Sequence, residues 1–135
     1  MENKKALVVD DEEAMRHMLS LVLKREGYEV LTAADGKEAL SKLESDLFDF
    51  ILMDVVMPEM SGLELLEAMK DRKVESTIIM MSAYGSLDTA VEAMKRGAYD
   101  YITKPFKPDE ILLALRKAEE RETLRKENAQ LRQVV

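Results

Sequence analysis

A chain of 135 residues has the length of one domain, and its 20 basic against 27 acidic side chains leave a net charge of −7. That balance makes the chain by itself a poor ligand for nucleic acid, whose binding is driven by Lys and Arg on phosphates. The composition, 47% apolar and 35% charged with no cysteine, excludes a disordered segment, a disulfide scaffold, a thiolate metal site and a thiol nucleophile. The most apolar stretch, residues 50–57, is interrupted by Asp54 and falls short of the roughly 20 residues a membrane span needs. The first five residues lead straight into an apolar run with no signal-peptide pattern, and a cytoplasmic protein is expected.

Taken in chain order, two periods alternate. Ala6-Leu7-Val8-Val9 reads as a strand buried on both faces. Ala14, Met15, Met18, Leu19, Val22 and Leu23 form a helical stripe that Gly27 ends. A strand follows over 28–33, a helix over 36–43, and a very apolar strand over 48–53. Pro58 and Gly62 mark a loop before a helix carrying Leu63, Leu65, Leu66 and Met69. Residues 77–81 read as the fourth strand, 87–96 as a helix, and 99–103 as a short fifth strand. Pro108 sits at the first turn of a last helix, where its missing N–H costs nothing. Five such units with short connections predict a parallel sheet covered by helices on both faces.

No Gly or Pro follows Pro108, so one helix of roughly 25 residues, or about 40 Å, is expected. Residues 119–135 carry four acids and four bases, which leaves the whole net charge on residues 1–118. Leu124 and Leu131 stand seven apart with Asn128 between them, a short seam with one polar position that can fix register in a coiled coil. A solvated helix end explains the same residues. The expected division is therefore a domain over 1–118 and the start of a helical linker over 119–135.

Ligands of open parallel sheets bind outside the carboxyl ends of the strands. At those ends stand Asp10-Asp11, Asp54, Ser82, Thr103 and Lys104. Singly, each has a bland reading as a helix cap or a solvated side chain. Together they suit phosphoryl chemistry. Clustered carboxylates call for a cation, hard oxygen ligands suit Mg²⁺, and Lys104 and Ser82 can hold phosphoryl oxygens. A carboxylate can itself be the nucleophile, and Asp54 stands alone on a central strand.

Asp10-Asp11, Leu52-Met53-Asp54-Val55-Val56-Met57-Pro58, Met60-Ser61-Gly62, Ser82-Ala83 and Lys104-Pro105-Phe106 closely resemble the receiver domain of bacterial two-component response regulators. The resemblance spans residues 5 to about 120. It implies a flavodoxin-like (CheY-like) doubly wound fold with strand order 2-1-3-4-5. It implies that Asp54 accepts a phosphoryl group from the phosphohistidine of a cognate sensor histidine kinase. Asp11, Asp54 and the main-chain carbonyl of Val56 would hold Mg²⁺ (or Mn²⁺) directly, and Asp10 through water. Lys104, Ser82 and the Ala83 main-chain N–H would hold the phosphate, and the Lys104-Pro105 bond would be cis.

The resemblance also implies a switch in which Ser82 moves to the phosphoryl group, drawing residues 83–86, while Tyr101 turns inward. A half-buried packing aromatic is the plainer reading of Tyr101. Val56 and Tyr84, two residues after Asp54 and Ser82, occupy positions that in the family tune self-dephosphorylation. Val56 offers no group to orient water, so a moderately long-lived phosphorylated state is expected. Met15, Arg16 and Met18, read as exposed on the first helix, with Pro105 and Phe106, are the candidates for kinase docking. His17, the only histidine, reads as a surface residue.

The tail is similar to the linker of NtrC-type regulators, in which an AAA+ ATPase that works with sigma-54 polymerase and then a DNA-binding domain follow. This implies a homodimer built from the fourth helix, fifth strand, fifth helix and linker, controlling an output module. A stand-alone receiver and a receiver-like interaction module that is never phosphorylated stay open. So does an Mg²⁺-dependent phosphatase, although that would want an acid where Val56 stands.

Overall fold

A computed structural model describes residues 4–83 and 87–134, with the side chains of 87 and 129–134 outside the description. The chain runs β1 (Lys5–Val9), α1 (Glu13–Arg25), β2 (Glu29–Ala33), α2 (Gly36–Ser45), β3 (Phe50–Asp54), α3 (Gly62–Asp71), β4 (Thr77–Ser82), α4 (Leu87–Lys95), β5 (Asp100–Thr103) and α5 (Pro108–Val134). All strand pairs are parallel, in the order β2-β1-β3-β4-β5. The flavodoxin-like topology and the long last helix are as expected from the sequence. The third strand starts at Phe50 rather than at residue 48.

Alternation along the central strands divides the core in two. Leu7, Val9, Ile51, Met53, Ile78 and Met80 point to the side covered by α2, α3 and α4. Ala6, Val8, Phe50, Leu52, Ile79 and Met81 point to the side covered by α1 and α5, where Leu19, Leu23, Ile111 and Leu115 meet them. Both faces are buried, which is why these strands are continuous apolar runs.

The helix starts are capped by chemistry visible in the sequence. Asp35 and Ser61 accept hydrogen bonds from Glu38 N and Glu64 N at the starts of α2 and α3. Gly62 lets α3 sit on the backbone that follows β3, since a Cβ there would lie 2.3 Å from the Asp54 carbonyl oxygen.

The body holds α5 beyond residue 118. Lys4 Nζ meets Glu119 Oε2 at 2.9 Å, Thr77 Oγ1 donates to Glu122 Oε1 at 2.9 Å, and the Arg121 guanidinium lies 4.7 Å over the Tyr99 ring. These contacts are at the amino end of the sheet. Past them, Leu124 and Asn128 are exposed, and the Leu131 side chain lies outside the described residues.

Candidate functional site

Parallel register places the chemistry. Val9 pairs with Met53, so Asp10 and Asp54 emerge side by side at the carboxyl ends of β1 and β3. Ser82 pairs with Thr103, and the next backbone N–H, that of Lys104, donates to the Ser82 carbonyl at 2.8 Å. From there the Lys104 side chain passes β4 and binds two carboxylates. Its Nζ is 2.7 Å from Asp10 Oδ2 and 3.1 Å from Asp54 Oδ2. All three side chains are buried, Asp10 completely.

Each carboxylate is further fixed by backbone. Asp10 Oδ1 accepts from Glu12 N at 2.9 Å, and Asp54 Oδ1 accepts from Val56 N at 3.3 Å. Burial pushes the Asp54 carboxyl above its ordinary range; the Lys104 hydrogen bond and charge oppose this without cancelling it, and the Asp10 charge adds to the rise. Burial pulls Lys104 down, but the hydrogen bonds and charges of Asp10 and then Asp54 outweigh it and leave it above its ordinary value. Lys104 is thus a buried lysine held charged between two acids.

Oxygens of Asp10, Asp11 and Glu12 lie within 4.8 Å of one another, with Asp10 buried and the other two exposed. That all-oxygen, partly open set fits a hard divalent cation. Asp54 joins it through Lys104. Val56, expected to lend its main-chain carbonyl, is 58% exposed beside Asp54. Ser82 is buried at the end of β4, Ala83 is exposed beyond it, and Tyr84 and the rest of 84–86 lie outside the described residues. The Lys104-Pro105 bond is cis.

Tyr101 is half-buried and packs on the α2–α3–α4 side of the core. Its hydroxyl is buried with no hydrogen-bond partner among the described residues.

The docking residues on α1 differ from expectation. Met15 and Met18 are half-buried against the α1–α5 side of the core, and Arg16 donates from Nη1 to the Asp10 carbonyl at 2.8 Å. The apolar stripe that defines the helix had already claimed both methionines. Leu21, 46% exposed, is the large apolar residue that α1 offers to solvent. Pro105 is exposed, Phe106 half-buried and His17 exposed. The tie of Arg16 to Asp10 and the anchors at Glu119 and Glu122 had no sequence signal, because each joins residues whose meeting depends on the fold.

The response regulator receiver domain family matches residues 6–116. The chain belongs to this family. The receiver is 39% identical over 129 residues to regulatory protein AtoC of Escherichia coli (strain K12), covering 96% of this chain and 28% of that protein. Among solved structures it resembles NtrX from Brucella abortus in complex with ADP, with TM-score 0.88, 36% identity, 96% of this chain and 30% of that one. It also resembles the Vibrio cholerae chemotaxis protein CheY4, with TM-score 0.82, 38% identity, 87% of this chain and 99% of that one. The likeness to NtrC-type regulators expected from the tail is thus shown by AtoC and NtrX. The chain spans 24% to 45% of the length of the curated relatives it matches. No described helix is long and apolar enough to cross a membrane.

Proposed function

We propose that this receiver is a phosphorylation-dependent switch in which Asp54 takes a phosphoryl group from the phosphohistidine of a sensor histidine kinase. The observation that carries the reading is the convergence of Asp10 and Asp54 on buried Lys104 at the carboxyl edge of the sheet. An Asp54 oxygen forms the new P–O bond as the P–N bond breaks, and the imidazole takes the electron pair and a proton from solvent. Asp11, Asp54 and the Val56 carbonyl would hold Mg²⁺ or Mn²⁺, with Asp10 acting through water. When bound, that ion neutralises the carboxylates and the phosphoryl oxygens. Lys104 transfers its ammonium from Asp54 to the phosphoryl group, and Ser82 Oγ and the Ala83 N–H donate to the remaining oxygens. The domain is not a turnover enzyme in this reading; it assists only its own phosphorylation and hydrolysis.

Ser82 and Tyr101 then form the switch. A buried hydroxyl without a partner costs about 1–3 kcal/mol, so the inward Tyr101 is poised against an outward alternative, and a displaced 83–86 segment decides between them. The face it remodels carries exposed Val91, Met94 and Leu113, apolar area suited to a homodimer contact. The relatives' greater length, and the ADP bound by NtrX, support a cytoplasmic regulator whose receiver gates an ATPase and DNA-binding module. CheY4, covered almost end to end, keeps the stand-alone receiver as the second reading.

The test is incubation with acetyl phosphate and Mg²⁺, followed by intact mass. One added phosphoryl group on the parent and none on Asp54→Asn is expected; no addition to folded parent overturns the proposal. Light scattering with Mg²⁺ and beryllofluoride then separates two forms of dimer control. A monomer that becomes a dimer means phosphorylation builds the interface. A dimer in both states means the 119–135 seam holds the pair and phosphorylation re-orients it.

A further inference from the structure

Asp10 has all four of its polar atoms engaged, each by a different residue. Its N–H donates to Ala33 O of β2 at 3.1 Å, Oδ1 accepts from Glu12 N, Oδ2 from Lys104 Nζ, and its carbonyl from Arg16 Nη1 at 2.8 Å. Three of these bonds come from the sheet, from the turn itself or from the lysine expected to move to phosphate. The bond from Arg16 adds a side-chain tie from within α1 to the backbone link that runs through its N-cap Glu12. Arg16 is well placed to hold still, being half-buried, with its N–H on Glu12 O at 3.1 Å and its carbonyl accepting from Ser20 Oγ at 2.7 Å.

Its choice of partner is informative. Arg16 follows Asp10, Asp11, Glu12 and Glu13, yet among the described residues it makes no ion pair and binds a backbone carbonyl instead. The guanidinium thus brings positive charge to the turn from the backbone side. There it offsets repulsion among Asp10, Asp11 and Glu12, whose oxygens lie within 4.8 Å of one another, without occupying those oxygens. We infer that Arg16 is a positioning residue that holds the Asp10–Asp11 turn in shape for a divalent cation. This rests on the phosphoacceptor reading above, and it removes Arg16 from the surface offered to a kinase.

The 135-residue protein and three variants test it. Arg16→Ala removes donor and charge, Arg16→Met keeps the packed stem without the donor, and Arg16→Lys restores one donor and the charge. Mn²⁺ affinity is read by electron paramagnetic resonance. Hydrogen exchange of the Asp11 and Glu12 amides is followed in EDTA, and phosphorylation by acetyl phosphate, with no kinase present, across Mg²⁺ concentrations. Second ligand shells are worth on the order of tenfold in metal affinity. Arg16→Ala and Arg16→Met are therefore expected to weaken Mn²⁺ binding about tenfold. They should raise the half-saturating Mg²⁺ equally and leave the rate at saturating Mg²⁺ within about twofold. The two amides should exchange faster, and Arg16→Lys should recover most of each effect. Unchanged Mn²⁺ affinity in folded Arg16→Met overturns the inference and returns Arg16 to the docking candidates. A parent that binds Mn²⁺ but is never phosphorylated overturns the phosphoacceptor reading alone, while the Mn²⁺ comparison still decides the role of Arg16. A parent that does not bind Mn²⁺ overturns both.

Discussion

Replacing Gly62 by alanine would place a Cβ 2.3 Å from the Asp54 carbonyl oxygen and 2.7 Å from Val55 Cα. Ordinary contacts begin near ~3.4 Å, so two backbones must part by about 1 Å. Neither yields easily, because the Val55 N–H donates to Met81 O at 2.9 Å and Gly62 N donates to Val55 O at 2.7 Å. Overpacking costs about 1–3 kcal/mol and losing the Gly62–Val55 bond about 1 more. The expected destabilisation is about 2–4 kcal/mol, or roughly 6–12 °C in Tm for a domain of this size. The displaced strand end carries Asp54, and a shift of this size at a reacting group can lower a rate up to ~100-fold. Gly36→Ala is the internal control. Its nearest neighbour would be the flexible Met60 Sδ at 2.8 Å, and a change within about 1 kcal/mol of zero is expected. Urea unfolding followed by circular dichroism, with phosphorylation by acetyl phosphate, compares the two. Equal, small effects for both would refute the argument that α3 is seated on a rigid strand end.

Four further outcomes are expected. Tyr101→Phe removes a buried hydroxyl that has no partner among the described residues and should raise stability by about 1 kcal/mol; a lowered Tm would show that the hydroxyl is satisfied in solution. Asp54 has a raised folded pKa, so the folded state holds its proton more tightly and stability falls as pH rises through its titration. In EDTA, Asp54→Asn should therefore gain on the parent as pH rises through that titration, and a gain that shrinks with rising pH contradicts the burial argument. Lys104→Met leaves Asp10 and Asp54 buried without their shared cation and should cost about 3–5 kcal/mol in EDTA, with part restored by Mg²⁺; urea titrations with and without the ion decide. The exposed Val56 cannot orient water, so Val56→Gln should shorten the phosphorylated lifetime by roughly tenfold. Intact mass over time measures this, and a parent half-life of only seconds in Mg²⁺ speaks against the expected role of Val56.

The sheet was readable because both of its faces are covered. Runs such as Phe50–Met53 and Ile78–Met81 admit few other placements, and parallel register then brings Asp10, Asp54, Ser82 and Lys104 to one edge. Periodicity assigns a helix face but not its exposure, so it leaves Met15 and Met18 open to a partner although they pack on the core. It is also silent on a side chain's choice between nearby acids and a carbonyl, as at Arg16. The attachment of the tail escaped for a further reason. Lys4 and Glu119 are 115 residues apart, and the balanced charges after residue 118 look alike whether solvated or bound.

That attachment has a mechanical consequence. Asp54 lies at one end of the strands and the grip on α5 at the other, so this helix runs the full depth of the sheet before leaving it. Beyond Glu122, twelve more residues reach Val134, about 18 Å of rod at 1.5 Å per residue. Swung by about 10° about that grip, the rod carries its end through roughly 3 Å. The ties from Lys4, Thr77 and Tyr99 act as the fulcrum of that lever. Loosening any of them lengthens its free arm, so small rearrangements at the top of β5 become ångström-scale travel where a second helix would lie alongside.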